Sequence, residues 1–97
     1  MITNNFVIEK IGSQKGNLQK KYAIKKIGLF GSFAKNTQKD GSDIDIVVQL
    51  EKQDLFQIIG IKQDLEEEFH RAVDVISYRD KMNPFLKDRI DHEAIYV

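Results

Sequence analysis

The segment Asp43-Ile44-Asp45-Ile46-Val47-Val48-Gln49-Leu50 constrains this chain most. It is rich in β-branched residues and partly alternating, so it predicts a strand. Side chains alternate across a strand, so Asp43 and Asp45 project from one face while Ile44 and Ile46 turn toward a core. Two acids on one rigid face repel each other unless a counter-ion lies between them. Magnesium suits such a pair, because it takes a few carboxylate oxygens and completes its shell with water and substrate phosphates. Two such ions about 4 Å apart can activate a hydroxyl and stabilise a leaving pyrophosphate, which usually requires a third carboxylate. Asp74 is the candidate: it interrupts the apolar run Ala72-Val73-Asp74-Val75-Ile76, where a buried lone acid would cost several kcal/mol unless paired or metal-bound. On its own, a strand-end acid in water explains Asp74 equally well.

Upstream, Ile27-Gly28-Leu29-Phe30 reads as a buried strand that ends at Gly31-Ser32, with a short helix able to start at Ser32. Backbone amides and the serine hydroxyl there could face a phosphate, with glycine allowing close approach. No Gly-x-x-x-x-Gly-Lys-Ser/Thr is present, so this turn is not a P-loop. Lys35 to Ser42 reads as an exposed loop.

The remaining pattern is helical. Val7, Ile8, Ile11, Leu18 and Tyr22 approximate helical spacing, with Gly12 and Gly16 weakening the middle, which predicts one interrupted helix or two short ones. Leu55, Ile58, Ile59, Leu65 and Phe69 predict a helix opening near Asp54, with Glu66, Glu67 and Glu68 on a solvated face. Asn83-Pro84 predicts an N-cap and first turn. The ending Ala94-Ile95-Tyr96-Val97 fits a helix end or an extended tail. The expected fold is α+β, a small mixed sheet flanked by helices, as one domain over residues 1–97.

Fifteen basic and fifteen acidic residues cancel, so strong nucleic-acid binding is not expected. There is no cysteine for a disulfide or thiolate site. The apolar stretches are too short and charged for a membrane span, and the first ten residues lack a signal-peptide pattern, so a cytoplasmic address is expected. His70 and His92 read as surface residues, and Lys20, Lys21, Lys25 and Lys26 as a solvated cluster. Tyr78, Phe85 and Tyr96 fit core or interface equally.

Gly31-Ser32, ten intervening residues and Asp43-Ile44-Asp45 together resemble the G-S-x10-D-x-D signature of the DNA polymerase beta-like nucleotidyltransferase superfamily. The flanks Ile27 to Ala34 and Gly41 to Ile46, Val73-Asp74-Val75 and Glu93 to Val97 resemble its minimal nucleotidyltransferases, especially antitoxin subunits paired with HEPN-domain toxins. The resemblance implies ATP as substrate, Mg2+ held by Asp43, Asp45 and Asp74, and transfer of AMP onto a tyrosine of the toxin, silencing its ribonuclease. It implies that Asp74 favours deprotonation of the incoming hydroxyl and that Gly31, Ser32 and Lys35 meet the phosphates. The family often has Arg-Gly where this chain has Lys35-Asn36. Lysine keeps the charge without a bidentate fork, and asparagine tolerates a left-handed backbone. Two rivals remain: an antitoxin that neutralises by binding alone, and a small-molecule nucleotidyltransferase of the aminoglycoside type. The latter normally needs a further domain or a dimer to hold its acceptor. A homodimer or a hetero-oligomer with the toxin is compatible with the sequence.

Overall fold

The computed structural model describes residues 2–97. The elements run α1 (Asn4–Lys21), β1 (Ile24–Phe30), α2 (Gly31–Ala34), β2 (Ile44–Leu50), α3 (Leu55–Phe69), β3 (Val73–Ser77), α4 (Pro84–Glu93) and β4 (Ile95–Tyr96). One mixed sheet has the order β3-β2-β1-β4, with β1 antiparallel to β2 and β4 and with β2 parallel to β3. This is the α+β architecture expected.

The sheet is covered on both faces, which explains why β2 alternates only in part. Ile44, Ile46, Val48 and Leu50 join Ile27, Leu29, Val73 and residues of α1 and α3 in the main core. Val47, on the opposite face, packs with Phe30 and Ile90 beneath α4. Asp45 shares the Val47 face by strand alternation and lies at the end of it.

Several boundaries differ from expectation. Residues 4–21 form one unbroken helix despite Gly12 and Gly16. The reason is tertiary: Val7, Ile11 and Leu18 are buried along the helix, a Cβ on Gly12 would meet Val97 Cγ1 at 3.3 Å, and Lys15 Nζ donates to the Val97 carbonyl at 2.7 Å, whereas Gly16 has no close neighbour. The chain end, left open by the sequence, is a strand on β1, with the Val97 amide donating to the Ile27 carbonyl at 2.9 Å. β1 begins at Ile24 and absorbs Lys25 in a bulge, which turns both Lys25 and Lys26 to solvent.

In α3, Asp54 caps the helix by accepting from the Phe56 amide at 2.9 Å. Its buried stripe is Ile61, Leu65 and Phe69, while Leu55 and Ile59 are exposed. At about 100° per residue, Ile59 lies a quarter turn off the line through Ile58, Leu65 and Phe69. The three glutamates are not a uniform solvated face: Glu67 is exposed, Glu68 pairs with Lys10 at 2.7 Å, and Glu66 accepts from the Val73 amide at 3.1 Å. His70 is exposed and ends the helix in the left-handed region, φ 55°.

Asn83 caps α4 as its sequence predicts, accepting from the Phe85 and Leu86 amides at 2.9 and 3.2 Å. Asn83→Ala is expected to cost about 1 kcal/mol. Urea unfolding checks this, and an unchanged midpoint would remove the cap from the account.

Candidate active site

Three chain crossings meet at one end of the sheet. β1 delivers Phe30 and the Gly31-Ser32 turn, and Asp45 and Asp74 are the second residues of β2 and β3. Phe30 is the register partner of Asp45, and Asp45 is the register partner of Asp74. Partners directly opposite in a sheet project from the same face, so Phe30, Asp45 and Asp74 stand side by side. Asp43 immediately precedes β2 and is exposed.

Burial pushes the Asp45 carboxyl above its usual range, and the negative charges of Asp74 and then Asp43 push the same way. No ion pair of any of these acids with a Lys, Arg or His is present among the described residues. A half-buried carboxylate facing two others without a cationic side chain matches hard, oxygen-seeking cations such as magnesium. No group of three His, Cys, Asp or Glu side chains converges as a closed metal-binding set among the described residues. Magnesium does not require one, since water and phosphate complete its shell.

Asp74 is not buried, contrary to what its apolar neighbours suggest. Asp74 is exposed on an edge strand, so no desolvation cost forces it to pair. What singles it out is its register with Asp45, which sequence spacing could not show.

Gly31 is tightly specified. Its φ is +70°, and a Cβ there would collide with the Asp45 carboxylate, Oδ2 first. The glycine therefore makes room for the acid. α2 has no side-chain cap on its first amides, and such free N–H groups suit an anion. The turn after α2 closes through the Ser32 carbonyl, which accepts from the Thr37 amide at 2.9 Å; its hydroxyl plays no part in that closure. Asn36 adopts φ 56°, the left-handed geometry anticipated from its side chain.

Lys35, the third nucleotide-binding candidate, forms an ion pair with Glu93 of α4 at 2.7 Å. The other oxygen of Glu93 meets Arg89 Nε at 3.4 Å. The hydrogen bond from Lys35 is the main reason the Glu93 carboxyl is held below its usual range. Arg89 in turn lies over the Phe30 ring, 5.4 Å from its centroid. Two cations thus flank the site, and sequence reading found only one. Arg89 and Glu93 are more than fifty residues from the Gly-Ser turn, and no local pattern ties either of them to it. A separate cleft of about 670 Å³ lies between α1 and α3, lined by Gln14, Lys21, Asp64 and Glu68 among others. It is on the other side of the sheet from these acids and takes no part in the site.

A four-stranded mixed sheet that sets carboxylates of adjacent strands beside a Gly-Ser turn is the framework of a nucleotidyltransferase. Residues 13–97 match the family model described as polymerase beta, nucleotidyltransferase. The chain belongs to that family. A Methanocaldococcus jannaschii protein named as a protein adenylyltransferase is 44% identical over 78 residues, 79% of this chain and 83% of that one. The protein adenylyltransferase MntA of Thermococcus cleftensis is 26% identical over 98 residues, covering 100% of this chain and 98% of the relative. Among solved structures, a minimal nucleotidyltransferase superposes with TM-score 0.79 at 24% identity, covering 97% and 95% of the two chains. A toxin–antitoxin structure with AMP-PNP gives TM-score 0.70 at 23% identity, covering 98% of this chain and 72% of that one. No helix among the described residues is long and apolar enough to cross a membrane.

Proposed function

We propose that this nucleotidyltransferase is an antitoxin that transfers AMP from ATP to a tyrosine of a HEPN-domain toxin, using magnesium at Asp43, Asp45 and Asp74. The observation that carries the reading is the register pair Asp45–Asp74, two carboxylates without a counter-cation beside the uncapped Gly31-Ser32 turn. The names of the relatives point to protein as the acceptor.

In this reading, Gly31 and Ser32 receive the terminal phosphates and Lys35 is a further phosphate contact. Asp74 accepts the proton of the acceptor hydroxyl. The hydroxyl oxygen forms its bond to the α-phosphorus as the bond from that phosphorus to the β-bridging oxygen breaks, and pyrophosphate leaves. Magnesium, when bound, neutralises the triphosphate and stabilises the attacking and leaving oxygens.

Incubating the chain with labelled ATP, magnesium and the toxin, then weighing both intact proteins, tests this directly. The toxin is expected to gain AMP, and the double variant Asp43→Ala, Asp45→Ala to lose that transfer. A tight complex with full neutralisation but no mass gain would sink adenylylation and leave neutralisation by binding.

A further inference from the structure

β3 is an edge strand, and its outward backbone groups are unevenly protected. The Ile44 amide donates to the Ala72 carbonyl and the Tyr78 amide to the Val48 carbonyl, so the even-numbered residues of β3 face β2. Val73, Val75 and Ser77 therefore present N–H and C=O away from the sheet. At Val73 both are occupied. The carbonyl accepts from Lys62 Nζ at 2.6 Å, the amide donates to Glu66 at 3.1 Å, and Lys62 and Glu66 pair at 3.4 Å. This plug closes one end of the edge as charged side chains commonly do. At Val75 and Ser77 no backbone partner is present among the described residues.

The open stretch begins one residue after Asp74. A strand added there would lie about 4.8 Å from β3, and its residue opposite Asp74 would project from the face that carries Asp45 and Asp74. We propose that the Val75–Ser77 edge is the acceptor-docking rail: an extended segment of the protein that receives AMP pairs with it and presents its hydroxyl to the carboxylates. This rests on the adenylylation reading above. A second copy of this chain fits less well, because the plug leaves only two outward residues. That is too short a ladder for a stable dimer but suits a substrate that must leave.

Val75→Pro removes the outward N–H and leaves the ladder to β2 intact, since the Val75 amide takes no part in it. The kcat/KM for the acceptor protein is expected to fall about tenfold or more, with the KM for ATP unchanged. Val75→Ala keeps the N–H and retains acceptor use. Equal acceptor kcat/KM in Val75→Pro and the unaltered chain would overturn the proposal. Should Val75→Pro fail to fold, amide exchange on the unaltered chain decides. Val75 and Ser77 are expected to gain protection when the acceptor protein is added. No gain, or protection that rises with the chain's own concentration alone, would overturn the rail. Absence of AMP transfer by the unaltered chain would instead overturn the adenylylation reading, and this inference with it.

Discussion

Asp45→Asn is expected to lower AMP transfer by on the order of 10³-fold, and to raise the thermal midpoint of the protein in magnesium-free buffer. The loss of transfer follows from removing the carboxylate on which the other two both act, since metal stabilisation of the transition state supplies several kcal/mol. The gain in stability follows from the charge environment. Burial, then Asp74 and Asp43, hold the Asp45 carboxyl above its ordinary value. The folded chain therefore keeps that proton to higher pH than the unfolded chain does. Stability attributable to this group falls as pH rises from the ordinary aspartate range, near 4, through the raised folded value. At neutral pH the ionised carboxylate opposes folding. Asparagine removes that opposition, and about 1 kcal/mol of relief would move the midpoint by about 4 °C or more in a chain this small. The gain should vanish in acid, where the native aspartate is itself protonated. Magnesium at about 100 times its Kd should stabilise the native chain by about 2.7 kcal/mol and the variant far less. Scanning calorimetry at several pH values, with EDTA or magnesium, measures all of this. An Asp45→Asn midpoint below the native one at pH 7 in EDTA would show that the acid cluster is not strained.

Gly31→Ala is expected to damage fold and reaction together. At φ +70° an alanine costs about 1–2 kcal/mol in backbone strain alone. Its methyl would also occupy the place of the Asp45 carboxylate. Either the turn or the acid must move, and a shift near 1 Å in a positioned group costs about 10²-fold in rate. Transfer should therefore drop by at least that factor while the urea midpoint falls. The two effects separate when Asp45→Asn and Gly31→Ala are combined. Because both act on the same contact, their effects on transfer should be strongly non-additive. Full additivity would mean that Gly31 serves only the turn.

Much of the site was legible because its signals are local. A strand's alternation places Asp45 without reference to anything distant, although Asp43, expected in the same strand, falls just before it, and a glycine after a buried run announces a turn. The α3 and α4 caps at Asp54 and Asn83 were legible for the same reason, since a cap is a contact within three residues. Asp74 shows the limit. The apolar neighbourhood that singled it out does not bury it: Val73 is buried, but the acid itself is exposed on the edge strand, and only the register sets it beside Asp45. Arg89 left no trace, and Glu93 entered only within the resembling ending without a role, because a helical Arg-x3-Glu pair is ordinary surface chemistry until the fold brings it against Lys35 and Phe30.

By itself, then, the chain determined the central strands, the caps at Asp54 and Asn83, which face of β2 carries Asp45, and which glycine must bend. These follow from side-chain alternation, backbone sterics and hydrogen bonds within one turn. Only the tertiary structure decided that α1 runs unbroken, because Val97 packs on Gly12; that the last residues form a strand, because β1 offers its free edge; and that Asp74 stands beside Asp45 with an open edge next to it. Those depend on strand order and register, which arise from burying both faces of the sheet at once.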